Sequence, residues 1–178
     1  MGTQVVTQRP AAAKCILGID PGINTTGYAV ISREGPRLLL REAGVIRSRG
    51  RDELPVRLRE IHDGLSEVFS SHPIELMALE QLFSHYERPR TAILMGHARG
   101  VICLAAATAG VRVEHYEPTR VKKVMTGNGR APKSQIQLAV KMQLNLQSVP
   151  EPADVADAMA ISLCGHYLSD NPIDQALA

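Results

Sequence analysis

The sequence has little of the chemistry that disulfides and soft metal sites require. Its 178 residues include three cysteines, Cys15, Cys103 and Cys164, which are far apart and each lie in apolar sequence. An odd number of isolated cysteines excludes a disulfide framework and favours buried thiols in a reducing cytosol. No two of the six histidines have the spacing of metal ligands, so a zinc site is not predicted.

Long hydrophobic runs are also scarce, and none has the form of a targeting segment. Residues 1–14 lack the apolar core of a signal peptide, and Val6 occupies the position at which a myristoylation signal needs serine or threonine. The most apolar stretch, residues 92–109, is interrupted by His97 and Arg99, which would be costly in a bilayer. We therefore expect a buried helix there, no membrane contact and a cytoplasmic location.

The remaining composition is that of an ordinary globular protein. Hydrophobic residues make up 44% of the chain and charged residues 21%, which excludes collagen-like, coiled-coil and wholly disordered proteins. The length is about 1.2 times that of a typical domain of ~150 residues, so we expect one domain. The predicted organisation is a disordered leader at residues 1–13, a single domain at residues 14–170 and a short tail at residues 171–178.

Charge is nearly balanced overall but unevenly distributed. The net charge of +2 indicates by itself neither a nucleic-acid partner nor an acidic surface. Residues 117–141, however, contain six Lys or Arg residues and one acid, a local charge of +5, and the five acids further on are accompanied by no Lys or Arg. This pattern favours polyanion binding beside a cation site, although two solvated faces of opposite sign would also give it.

The periodicity of apolar residues predicts a mixed sheet with helices packed on it, so the expected fold class is α/β. The predicted strands are residues 15–19 with Asp20 at the end, 26–32, 38–46, 74–80 and 111–115, the first three forming an antiparallel meander. The predicted helices are residues 53–69, 90–109, 119–125, 134–144 and 153–167.

Cap and packing positions follow from the same patterns. Asp52 and Ser134 are the predicted N-caps of the first and fourth helices. Gly96 and Gly100 lie one turn apart in the second helix, and we expect them to pack against the sheet. A dimer interface on this helix is our further hypothesis, because residues 101–109 are apolar on every side.

Carboxylates stand where the predicted sheet would bury them. Asp20 and Glu80 each end an apolar strand, where an unpaired carboxylate is costly, and Asp154 and Asp157 share one face of the last helix. Three of them also have a structural explanation, since Asp20 suits a turn and the two helical acids suit a helix N-terminus. The structural explanation for Glu80 is weaker, because Leu76 and Ala78 share its face of the strand. Together, however, four carboxylates without a nearby cation are typical ligands of Mg²⁺ or Mn²⁺, and two such ions catalyse phosphodiester hydrolysis.

The same residues, taken in order, resemble a known family, the RuvC family of crossover-junction endonucleases. The match runs from about residue 15 to residue 167, and collinear motifs are specific where each alone would be weak. The resemblance is carried by Gly18-Ile19-Asp20-Pro21-Gly22 with Thr26-Gly27-Tyr28, Leu79-Glu80-Gln81-Leu82-Phe83, Gly96-His97-Ala98-Arg99-Gly100, Lys133-Ser134-Gln135 and Asp154-Val155-Ala156-Asp157-Ala158.

The resemblance implies a ribonuclease H-like fold with a five-stranded mixed sheet, and a homodimer. It further implies Mg²⁺-dependent resolution of Holliday junctions, with Mn²⁺ as a substitute and two ions in each active site. Two strands of like polarity would be cut symmetrically in four-way junction DNA, leaving 5′-phosphate and 3′-hydroxyl ends. The implied protein partner is the RuvA/RuvB branch-migration machinery, and no organic cofactor is predicted.

Roles for individual residues follow from the same resemblance. Asp20, Glu80, Asp154 and Asp157 resemble the family's four catalytic, metal-binding carboxylates. Lys122 and Lys133 resemble its two functionally important basic residues, and Phe83 resembles its base-contacting aromatic residue. The loop after Glu80 mixes aromatic and cationic side chains that suit stacking and phosphate binding. The full set of predicted DNA contacts is Phe83, Tyr86, Arg88, Arg90, Lys122, Lys123 and Lys133.

Two other functions fit parts of the pattern. A turn like that at residues 18–22 also opens the phosphate-binding hairpin of actin-like and sugar-kinase ATPases, which need a second domain that 178 residues do not supply. A non-catalytic DNA-binding module would keep the basic segment and use the acids only as caps. The variant Asp20→Asn separates these functions, because only a nuclease has cleavage to lose.

Overall fold

The chain folds around a five-stranded sheet with helices on both faces. The computed structural model describes residues 15–81 and 89–169. The predicted leader and tail lie outside the described residues, as do Phe83, Tyr86 and Arg88 of the predicted DNA contacts. The division into leader, domain and tail stays a prediction.

The sheet has the strand order β3-β2-β1-β4-β5. Its strands are β1 (Cys15–Asp20), β2 (Thr25–Glu34), β3 (Arg37–Arg47), β4 (Ile74–Glu80) and β5 (Arg112–Tyr116). The first three form the predicted antiparallel meander, and β4 and β5 continue the sheet parallel to β1. The predicted α/β class with a mixed sheet is confirmed.

Helices cover both faces of the sheet, which explains why β1 is apolar at every position from 15 to 19. The helices are α1 (Leu54–Ser71), α2 (Pro89–Thr108), α3 (Pro118–Thr126), α4 (Lys133–Gln143) and α5 (Ala153–Ser169). Leu17 and Ile19 pack with α1 and α2 on one face, whereas Ile16 packs with α3, α4 and α5 on the other. Successive strand residues point to opposite faces, so a central strand needs apolar residues throughout.

The register of the sheet places two acidic side chains side by side. β1 and β4 are parallel, with Ile19 paired to Leu79, so Asp20 and Glu80 are the next residues at the same edge of the sheet. On its other side Asp20 pairs with Gly27 of β2. This edge, at the carboxyl ends of β1 and β4, is where ligand sites gather in α/β sheets.

Helix α5 lies very close to β1 and β2, because two of the strand residues beneath it are glycines. A Cβ atom built on Gly18 would lie 2.2 Å from the carbonyl oxygen of Ala158. One built on Gly27 would lie 2.2 Å from the carbonyl oxygen of Asp154. Real Cβ atoms do not approach backbone oxygens so closely, so only glycine allows this helix position.

Two predicted N-caps are wrong. The N-cap of α1 is Glu53 rather than Asp52, and that of α4 is Pro132 rather than Ser134; neither cap makes a side-chain hydrogen bond. A proline stands at each start, Pro55 in the first turn of α1 and Pro132 at the cap of α4. Because proline fixes φ near the helical value and has no N–H, these starts depend less on a side-chain acceptor.

Helix α2 is less buried than its composition predicts. Only 22% of its most apolar 18-residue window is buried, and Ile93 and Leu104 are 62% and 58% exposed. Gly96 and Gly100 are exposed with open space around them, so the prediction that they pack on the sheet is wrong. Only a narrow face of α2, which includes Ala98 and Ile102, is buried. By length and composition alone, α2 could also cross a membrane, as could core helices of many soluble proteins.

The cysteines follow the same division between buried and exposed elements. Cys15 in β1 and Cys164 in α5 are buried as predicted, and burial raises the pKa of the Cys164 thiol to about 12. Cys103 is only partly buried, because it lies on α2, so its predicted full burial is wrong.

We expect Gly27→Ala to destabilise the protein by about 1–3 kcal/mol, the usual cost of overpacking a closely packed site. The new methyl group would meet the Asp154 carbonyl oxygen, so the first turn of α5 must move. Gly50→Ala is the matched control, because its Cβ would meet only Asn24 Oδ1, at 3.5 Å. Urea unfolding measures both variants, and equal midpoints would contradict the close contact.

Candidate active site

Four carboxylates meet at the carboxyl edge of the sheet. Asp20 ends β1, Glu80 ends the neighbouring β4, and Asp154 and Asp157 lie one turn apart at the start of α5. Gly27 connects these elements, since it pairs with Asp20 in the sheet and contacts the backbone of Asp154. The predicted carboxylates are therefore brought together by backbone packing.

The ionisation of Asp20 is affected by the other three carboxylates. Burial raises the pKa of Asp20 most strongly, and Coulombic repulsion from Glu80, Asp157 and Asp154 raises it further, to about 7. The Lys133 ammonium opposes this shift. Since one pKa unit corresponds to about 1.4 kcal/mol, ionised Asp20 is costly unless a further cation is present.

Glu80 is shifted in the same direction but has more positive neighbours. Burial raises the pKa of Glu80, and repulsion from Asp157 adds to the effect. Lys122, Lys133 and Arg99 lower it. Two adjacent carboxyl groups with raised pKa values are typical of a functional site.

Lys133 forms an ion pair with one of the carboxylates. It is the first residue of α4, and its Nζ donates to Asp157 Oδ2 across 2.6 Å. This hydrogen bond raises the pKa of Lys133, and the charges of Asp20 and Asp154 raise it further, so the ammonium stays charged. The Lys133 side chain is 53% exposed, so the pair can open to solvent and contributes little stability.

A cavity of about 280 Å³ lies beside this ion pair. Its polar lining consists of Glu80, Asp157, Lys122 and Lys133, and apolar side chains of α3, α4 and α5 form the rest. Lysines bind phosphate oxygens and carboxylates bind divalent cations. The cavity therefore suits a phosphate group that approaches together with a cation.

The other predicted DNA contacts lie elsewhere. Lys123 is exposed on α3 and Arg90 is exposed at the start of α2, and neither lines this cavity. Phe83, Tyr86 and Arg88 lie outside the described residues. The roles of these five residues stay predictions.

Sequence analysis missed Arg57, which holds the turn after Asp20. Arg57 is buried in α1, and its guanidinium donates to Asn24 Oδ1 at 2.5 Å and to the Ile23 carbonyl oxygen at 3.3 Å. A signal was present, because Arg57 lies one turn before Ile61 on the apolar face of α1. A charged residue on that face predicts a specific buried partner.

Arg99 was also missed as a member of the site. From α2, its Nη1 donates to the carbonyl oxygen of Glu80, and its Nη2 contacts His115 Nδ1 of β5 at 2.5 Å. The signal was the interruption of an apolar helix by arginine. In the sequence, Arg99 counts as an obstacle to membrane insertion and as part of one resemblance motif, but neither assigns it a role at the site.

The chemistry of the carboxylates fits a hard divalent cation. Mg²⁺ and Mn²⁺ prefer oxygen ligands, and a bound cation would relieve the repulsion that raises the pKa of Asp20. Among residues 15–81 and 89–169, however, no three His, Cys, Asp or Glu side chains are grouped so that they could hold an ion. One oxygen of Asp157 instead accepts a hydrogen bond from Lys133. Binding would therefore require these side chains to change rotamer.

Comparison with solved structures identifies the class of fold. The chain superposes on a Thermus thermophilus RuvC structure with a TM-score of 0.82 and 33% identity, covering 88% of this chain and 95% of that chain. T. thermophilus RuvC in complex with Holliday junction substrate gives a TM-score of 0.80 and 30% identity, with coverage of 88% and 95%. The fold is thus that of the ribonuclease H-like nucleases, as expected.

Sequence comparison identifies the family within this class. The family model "Crossover junction endodeoxyribonuclease RuvC" matches residues 16–166. A crossover junction endodeoxyribonuclease RuvC from Rhodopirellula baltica is 88% identical over 178 residues, which is 100% of both chains. The chain belongs to the RuvC family of crossover junction endodeoxyribonucleases, and the resemblance noted in the sequence is confirmed.

We expect Asp20→Asn to stabilise the protein in EDTA by an amount that grows as the pH rises to about 7. The raised pKa means that folded Asp20 keeps its proton at pH values where the unfolded chain has lost it, so wild-type stability falls across this window. Asparagine does not ionise, so the Asp20→Asn variant does not lose stability in this way. Thermal unfolding between about pH 4 and pH 9 measures the difference, which should level off above the folded pKa.

The control is Asp63→Asn, whose side chain is 66% exposed on α1. Its effect on the unfolding temperature should not follow this pH window. A stability difference between wild type and Asp20→Asn that is constant with pH would contradict the electrostatic cost assigned to Asp20.

Proposed function

We propose that the protein hydrolyses phosphodiester bonds in four-way junction DNA with the help of divalent cations. The observation that carries this proposal is the meeting of four carboxylates at one sheet edge, beside a cavity lined by two lysines. The family is named for an endonuclease that acts at crossover junctions, and a RuvC from T. thermophilus is described in complex with Holliday junction substrate. Both support a branched DNA substrate.

The proposed cofactors are two Mg²⁺ ions, which Mn²⁺ can replace, held by Asp20, Glu80, Asp154 and Asp157. When bound, such ions lower the pKa of water and stabilise negative charge on a phosphate. When the carboxylates bind these cations, Lys133 would break its ion pair with Asp157. Its ammonium, with that of Lys122 across the cavity, would then hold a phosphate oxygen.

The proposed products, which the family resemblance implies, have 5′-phosphate and 3′-hydroxyl ends. The oxygen of water forms a bond to phosphorus, the bond from phosphorus to the 3′ oxygen breaks, and the 3′ oxygen leaves with a proton. The lysines stabilise negative charge on the phosphate oxygens during this exchange, in a partly buried cavity where such interactions are stronger than in water. The proposed DNA contacts also include Phe83, Tyr86, Arg88, Arg90 and Lys123.

Symmetric cleavage of two strands of like polarity requires two active sites, and we place a homodimer interface on α2. Ile93, Gly96, Gly100 and Leu104 recur every three or four residues and form one exposed stripe. Open space around the two glycines allows another helix to come close. A twofold axis through this stripe would relate two identical sites. The RuvA/RuvB machinery is the expected partner and the cytoplasm the expected location.

We expect Asp20→Asn to abolish cleavage of a synthetic four-way junction while junction binding is retained. The loss should be at least about 100-fold, because even residues that only orient metal ligands contribute about 10- to 100-fold. Gel assays in Mg²⁺ measure cleavage, and assays in Ca²⁺ measure binding.

A matched linear duplex and the variant Asp63→Asn serve as controls, and the latter should cleave the junction like wild type. Equal cutting of junction and duplex would contradict a structure-specific enzyme. A non-catalytic DNA-binding module would show no cleavage by the wild-type protein in Mg²⁺ or Mn²⁺.

We expect Lys122→Ala to weaken junction binding and to reduce the slope of log K against log salt by about one, the loss of one phosphate contact. We expect this contact because Lys122 lines the same cavity as Glu80. Lys141→Ala is the control, since Lys141 lies in the last turn of α4 and does not line this cavity. Fluorescence anisotropy titrations in Ca²⁺ measure both slopes, and an unchanged slope for Lys122→Ala would remove this residue from the phosphate contacts.

A further inference from the structure

The carbonyl group of Glu80 points to a place where the sheet offers no donor. The N–H of Gln81 donates to the Tyr116 carbonyl oxygen of β5 at 2.8 Å. In a trans peptide the N–H and the preceding C=O point in opposite directions, so the Glu80 carbonyl faces β1. The residue that follows β1 is Pro21, which has no N–H. The donor for this carbonyl has to come from outside the ladder.

Arg99 supplies that donor from the neighbouring layer. Its Nη1 donates to the Glu80 carbonyl oxygen, and its Nη2 contacts His115 Nδ1 at 2.5 Å. A guanidinium group has only donors, so His115 accepts through an unprotonated Nδ1. Burial and the Arg99 charge both lower the pKa of His115, which keeps this acceptor available.

The position of His115 explains why it can orient Arg99. His115 pairs with Leu79 in the register of β4 and β5, so its side chain lies on the same face of the sheet as Leu79, toward α2. Glu80 pairs with Tyr116 and shares the opposite face with Ala78, toward α5. The carboxylate of Glu80 is therefore directed to the other acids while its backbone is held from the α2 side.

We propose that Arg99 is a positioning residue for Glu80, with His115 orienting its guanidinium. The inference rests on the proposed catalytic role of Glu80. Arg99 donates to the carbonyl oxygen of the last peptide of β4 and so fixes the backbone from which the Glu80 carboxylate extends. Because residues that orient metal ligands affect activity without contacting substrate, the expected defect lies in the cleavage step.

The test is single-turnover cleavage of a four-way junction at saturating protein, with the junction Kd measured separately in Ca²⁺. Arg99→Ala should lower the cleavage rate constant about 10- to 100-fold and leave the Kd unchanged. Arg99→Lys should recover part of the rate, because the ammonium keeps the charge and can donate to the Glu80 carbonyl oxygen. Its single nitrogen cannot reach both this oxygen and His115 as the two guanidinium nitrogens do. His115→Ala should show a smaller loss in the same direction.

Arg112→Ala is the matched control, since it removes an exposed guanidinium that pairs with Glu114 on the same strand as His115. It should cleave like wild type. Circular dichroism establishes folding, and if Arg99→Ala does not fold, Arg99→Lys and His115→Ala decide the matter. A wild-type rate in these variants, a loss expressed only in Kd, or Arg99→Lys no better than a folded Arg99→Ala would overturn the proposal.

The variant Glu80→Gln separates this inference from the proposed function. If Glu80→Gln still cleaves the junction, the role of Glu80 itself is wrong. If Glu80→Gln is inactive and Arg99→Ala cleaves like wild type, only the positioning role of Arg99 is wrong.

Discussion

The close approach of α5 to β1 and β2 is the constraint on which the site depends. Gly18 and Gly27 allow backbone carbonyls of α5 to lie where any side chain would collide with them. Further along the helix, buried Ser162 and His166 each donate to a strand carbonyl oxygen at 2.9 Å. The helix is therefore held along its length. The position of Asp154 and Asp157 relative to the strand ends is therefore a consequence of helix packing that extends over several turns of α5.

This packing has an electrostatic consequence. It brings carboxylates together at a partly buried edge, where the pKa of Asp20 rises to about 7. Of the charged groups near Asp20, Lys133 lowers this pKa, but its side chain is largely exposed and pairs with Asp157. The folded chain is thus less stable than it would be with neutral side chains at this edge. Stability given up at such a cluster of acids is characteristic of functional sites.

Much of the fold and the acidic part of the site could be predicted, because they follow from local patterns. Alternating and continuous apolar runs define the strands, and parallel strands that end in Asp20 and Glu80 must place them together. The exposed face of α2 could not be predicted, since a helix that is apolar on all sides carries no periodic signal. The contacts of Arg57 and Arg99 join distant segments, so the sequence shows an unexpected charge but not its partner.

Three of the cations around the site, Arg57, Arg99 and Lys133, donate to different kinds of acceptor. Arg57 and Arg99 reach the two strand ends from α1 and α2, and both donate to backbone carbonyl oxygens. These contacts fix the chain next to Asp20 and Glu80 without occupying a carboxylate oxygen of either. Lys133 pairs with a carboxylate, but from an exposed side chain that can leave. The chain beside Asp20 and Glu80 is thus held through backbone carbonyls, so neither arginine pairs with the carboxylate oxygens that the proposed function assigns to cations.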